Sequence, residues 1–152
     1  MASESTALTE IFGEVISSYS RAEAIADGVL IDLTTFSFRP NLNVCQEAHI
    51  KCPVAMTAAA YAKAIGDPFE PLPPLQDLSG RTFDVVYMLS ETIRRTRSGS
   101  ELRFTVSVLN WRRRSNSMRI NATKREEVIL RAVCGPGDNA EPVITIMLPD
   151  ED

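Results

Sequence analysis

The chain has 152 residues, with 16 Lys or Arg, 20 Asp or Glu and one His, and a formal net charge of −4. Apolar residues make up 44% and charged residues 24%, which suits a single folded domain spanning residues 1–152. Three cysteines exclude a disulfide-stapled miniprotein, no apolar run reaches the roughly 20 residues that cross a bilayer, and the N-terminus lacks the basic and apolar stretches of a secretory signal, so a cytoplasmic protein with no membrane partner is expected.

Leu8, Ile11, Phe12, Val15 and Ile16 are spaced for a short amphipathic helix over 6–17, loosely attached as the 1–18 segment. Ser20-Arg21-Ala22-Glu23 is a capping box, and Asp27-Gly28 stops the helix that it starts. Residues 29–33 read as a strand carrying Asp32. Phe36, Phe38 and Pro40 imply a loop or extended arm, with one or two helical turns in 41–49. Thr57 caps an alanine-rich helix, Ala58 to Ile65, and four prolines over 67–75 form an extended linker inside the domain.

The longest helix is predicted from Arg81 to Arg97, with Phe83, Val86, Leu89 and Ile93 on one face and arginines in its last turn. The period then changes from 3.6 to 2. Leu102, Phe104, Val106 and Val108 alternate with polar residues, and 126–134 and 143–148 supply two more strands around a turn at Gly135–Asp138. The last strand is apolar on both faces, so it is either central in a sheet or paired across a homodimer. The expected fold class is α+β: short N-terminal helices and one long amphipathic helix packed on a C-terminal antiparallel meander of three to four strands.

Charge is unevenly placed. Ten basic residues and the single acid Glu101 lie between Arg94 and Arg125, leaving the rest of the chain strongly acidic. Trp111, Arg112, Arg113, Arg114 and Arg119, with Lys124 and Arg125, are suited to a charged partner or to phosphates and a stacked base. The competing view is a solvated hairpin whose charges pair within the molecule. Cys45, His49, Cys52 and Cys134 form a weak zinc set without paired Cys-x2-Cys spacing. No nucleophile motif, phosphate loop or dinucleotide fingerprint is present. The expectation is therefore a binding protein with no catalytic residues and no cofactor.

Several phrases occur together in order: Phe12-Gly13-Glu14-Val15-Ile16, Ser18-Tyr19-Ser20-Arg21-Ala22-Glu23-Ala24, Asp27 to Asp32, Pro53 to Thr57, Gln76-Asp77, Gly80-Arg81 with Asp84, and Gly135 to Asp138 followed by Glu141 to Pro149. In these the chain resembles a family of uncharacterised short proteins encoded by phages, plasmids and other mobile elements. The resemblance weakens at 34–46 and 97–125. Similar sequences read Glu-Ala-Gly-Phe-Lys-aromatic-Pro-Val where this chain has Glu47-Ala48-His49-Ile50-Lys51-Cys52-Pro53-Val54. The resemblance implies an accessory protein that binds a host defence protein or complex stoichiometrically, an anti-CRISPR inhibitor being the specific form. Two alternatives stand beside it: a nucleotide-signal binder using Arg21, Asp27, Arg81, Asp84 and Asp138, and nucleic-acid binding through the 111–125 hairpin.

Overall fold

Period-two alternation over two long segments builds the spine of the molecule. The computed structural model describes residues 19–35, 37–39, 42–67, 69–97, 99–113 and 119–152; the helix expected over 6–17, and Arg114, lie outside the described residues. In chain order the elements are α1 (Arg21–Ala26), β1 (Leu30–Asp32), β2 (Ser37–Arg39), β3 (Leu42–Asn43), α2 (Val44–Glu47), β4 (Val54–Thr57), α3 (Ala58–Ala64), α4 (Leu78–Arg95), β5 (Glu101–Arg113), β6 (Arg119–Pro136) and β7 (Pro142–Met147).

Five strands form one sheet in the order β1-β4-β7-β6-β5, and β2 pairs separately with β3. The expected antiparallel meander is present as β5-β6-β7. It is extended by two strands from the N-terminal half, however, and β4 pairs parallel to β7, so the sheet is mixed. The expectation of a helical N-terminal half on a C-terminal meander is corrected accordingly. Strand β4 was invisible to alternation because Val54, Ala55 and Met56 are all fully buried, which removes the polar member of the pattern. Strand β7 lies between β4 and β6, which explains why it is apolar on both faces.

One face of the sheet presents Phe104, Val106, Val128, Leu130, Ile144, Ile146, Val54 and Met56 to α3 and α4, and these residues share one core with Ala60, Val85, Val86 and Leu89. Helix α4 begins three residues before the expected Arg81, because the Asp77 carboxylate accepts from the Gly80 amide at 2.6 Å and caps the turn. On the opposite face Ala55, Val143 and Met147 are buried. Part of that cover is the C-terminal tail. The Glu151 carboxylate accepts from Thr57 Oγ1 and from the Leu148 amide, both at 2.7 Å, and its carbonyl accepts from Arg131.

The β6–β7 turn falls at 137–141, a little beyond the expected Gly135–Asp138. Gly137 lets Glu141 pack close in that turn: a Cβ on it would meet Glu141 Oε1 at 2.1 Å and Val143 Cγ1 at 2.9 Å, so both side chains would have to shift.

Candidate functional site

The residues singled out in the sequence fall into four places. Around α1, the Ser20 capping box forms as expected, with Ser20 Oγ accepting from the Glu23 amide at 3.1 Å and the Glu23 carboxylate from the Ser20 amide at 2.7 Å. A second cap reaches in from the β6–β7 turn. Asp138 accepts from the amides of Arg21 and Ala22 at 2.8 and 3.0 Å, and these bonds hold its pKa below the ordinary aspartate value. The Arg21 guanidinium donates to Thr145 Oγ1 at 2.8 Å and to the Ile144 carbonyl at 2.9 Å. Burial lowers its pKa, while the carboxylates of Asp32, Asp138 and Glu141 act in the opposite direction. Arg21 and Asp138 are thus brought together, and they pin α1 to β7. Asp27 sits at the far end of the same short helix and accepts from the Tyr19 hydroxyl at 2.6 Å.

Arg81 and Asp84 lie elsewhere, on α4. Arg81 is buried, and its guanidinium donates to the Ile65 carbonyl at 3.1 Å, to Asn110 Oδ1 at 3.1 Å and to the Leu109 carbonyl, with Nε reaching Gln76 Oε1 at 3.4 Å. One side chain therefore ties the end of α3, the start of α4 and strand β5 together. Asp84 is exposed; desolvation raises its carboxyl pKa, and the nearby Arg81 charge opposes the shift. The five residues expected to form a nucleotide-signal site divide between these two places.

The third place is the basic hairpin. Strand β7 pairs with β6 only over 131–136, so from Leu130 outward β5 and β6 form a two-stranded ribbon. The pairs Leu109–Arg125, Asn110–Lys124 and Trp111–Thr123 lead through an irregularity to Arg113–Arg119. Arg112, Lys124 and Arg125 are exposed. Among the described residues the ion pairs are Arg94–Glu91 and Arg131–Glu101, so none of those three cations is matched by a carboxylate. Near the ribbon's outer end the Trp111 indole N–H donates to the Pro71 carbonyl at 3.0 Å, which ties the hairpin to the proline-rich segment.

The fourth place is a cleft of about 390 Å³ at the C-terminal end of α4, lined in part by His49, Cys52 and Cys134. Cys45 is not part of it. That thiol is buried, lies 3.7 Å from the Leu33 carbonyl, and burial pushes its pKa up to about 11. Among the described residues no three His, Cys, Asp or Glu side chains converge as a metal site. His49 follows the one-turn helix α2 with φ 61°, the left-handed conformation at which helices commonly end in glycine. No sequence signal joins Lys51, Arg97 and Cys134, which meet here only through the tertiary fold.

No helix among the described residues is long and apolar enough to cross a membrane. The family of unknown function DUF6573 matches residues 9–152, and the chain belongs to that family. No curated protein and no solved structure matches the chain.

Proposed function

We propose that this family member acts by stoichiometric binding of a macromolecular partner through the basic β5–β6 ribbon. In this proposal it is an accessory protein of a mobile element, its partner is a host defence protein or complex, and an anti-CRISPR inhibitor is the specific form to test. The observation that carries the proposal is the segregation of charge. Arg112, Lys124 and Arg125 stand exposed at the outer end of the ribbon, beyond the exposed acids Glu126 and Glu127, while the molecule as a whole is acidic. A cluster of cations at one end of an extended element attracts an acidic partner surface from a distance and orients it on approach.

The same ribbon favours a second interpretation, direct binding of nucleic acid. In that reading the exposed cations would hold phosphates. The two are separated by capture from host lysate with and without nuclease, using the parent protein and the Arg112→Ala/Arg113→Ala/Arg114→Ala variant. A protein retained after nuclease by the parent and lost by the variant supports the proposal. Material lost with nuclease from the parent overturns it in favour of nucleic acid.

A further inference from the structure

The cleft at the end of α4 has a composition opposite to that of the chain around it. Its apolar surface comes from the partly exposed Ile50, Ile93 and Leu102, over a buried floor of Leu89, Ala132 and Ile144. Its mouth carries the exposed cations Lys51, Arg94 and Arg97. No aspartate or glutamate lines it, although the chain has 20 such residues against 16 cations. Arg94 is engaged by Glu91 at 3.1 Å, whereas neither Lys51 nor Arg97 is in an ion pair among the described residues. The polar group deepest in the lining, Ser90, is satisfied, since its hydroxyl donates to the Ala48 carbonyl at 2.6 Å. Nothing polar in the floor therefore asks for a polar ligand body.

We infer that this cleft is a binding site for a small organic anion with an apolar body, a carboxylate held by Lys51 and Arg97 and a hydrocarbon portion lying on Ile50, Ile93 and Leu102. The volume, about 390 Å³, falls within the range of cavities that enclose small ligands. Burial of the apolar body supplies the affinity, and the cations at the mouth fix its direction and exclude neutral and cationic analogues. The site is separate from the basic ribbon, so its occupancy does not depend on the proposed partner.

Two thiols make the site directly readable. Cys52 and Cys134 line the cleft, whereas Cys45 is buried outside it. Decanoate below its micelle concentration is the probe, with decanol as the neutral control, and N-ethylmaleimide modification of each cysteine is followed by mass spectrometry. Decanoate should slow modification of Cys134, and of Cys52 where it reacts, in proportion to occupancy, about 100-fold when the probe stands at a hundred times its Kd. Decanol should protect far less, and the Lys51→Ser/Arg97→Ser variant, altered only at exposed positions, should lose the decanoate protection while keeping the parent's melting temperature. Three results would overturn the assignment: no protection by decanoate, equal protection by decanol, or full protection in the variant.

Discussion

Replacing Arg81 tests whether its guanidinium is a structural tie. The side chain is 5% exposed and supplies donors to the Ile65 carbonyl, the Leu109 carbonyl and Asn110 Oδ1. Arg81→Ala strands at least the two carbonyls, one of them on the fully buried Ile65. Each stranded acceptor costs about 1–3 kcal/mol, and loss of the buried methylene stem adds to that, while relief of the arginine's own desolvation subtracts. The net expectation is about 3 kcal/mol, equivalent to a fall in Tm of roughly 6–12 °C for a chain of this length. Arg81→Lys keeps the charge but cannot span the separated acceptors, so it should fall between the parent and the alanine variant. Asp84→Ala, at an exposed position one turn along, should stay within about 0.5 kcal/mol. Urea unfolding followed by circular dichroism reads all three. An Arg81→Ala variant within about 0.5 kcal/mol of the parent, at unchanged m-value, would refute the reasoning.

Other expectations concern single groups. His49→Gly should raise stability by about 1 kcal/mol, because glycine occupies the left-handed conformation at φ 61° without the Cβ penalty; an unchanged or lower Tm would contradict this. The folded-state pKa of Asp138 is depressed, so its bonds to the α1 amides stabilise the protein above the unfolded pKa and are lost as pH falls through the folded value. Asp138→Asn should therefore show a shallower loss of stability on acidification than the parent, and parallel curves would disprove the linkage. Cys45, with its pKa near 11, should resist N-ethylmaleimide at neutral pH until the protein is denatured, whereas exposed Cys134 reacts in the native state.

Local signals in the chain were readable where they are self-contained. The Ser20–Glu23 box, the Gly28 stop at φ 78° and the Thr57 cap, whose hydroxyl accepts from the Ala60 amide at 3.2 Å, all involve residues within a few positions of one another. The start of α2 was equally available. Asn43 and Gln46 form a second capping box, but the turn that it opens lasts only four residues, too short for periodicity to show. The sheet was less legible because its order depends on remote pairing. The β1–β4 and β4–β7 registers join segments separated by loops and helices, and nothing in Val54–Thr57 alone specifies a parallel neighbour at Ile144.

The candidate sites divide in the same way. Charge clustering along the chain was enough to locate the ribbon. The roles of Arg21 and Arg81 were not accessible, since their acceptors lie at Ile144, Thr145, Ile65 and Leu109. Several positions that carry the family resemblance hold the fold together: Asp77 caps α4, Asp138 caps α1, and Glu141 accepts from the Asn139 amide at 2.8 Å inside the β6–β7 turn.

The most direct test of the central claim is the association rate between the protein and the partner it retains from nuclease-treated lysate, measured by surface plasmon resonance at low and at physiological salt. Binding through the basic ribbon predicts a rate that falls steeply with salt for the parent, and a slower, nearly salt-independent rate for the Arg112→Ala/Arg113→Ala/Arg114→Ala variant. Equal rates and equal salt dependence in the two proteins would contradict it.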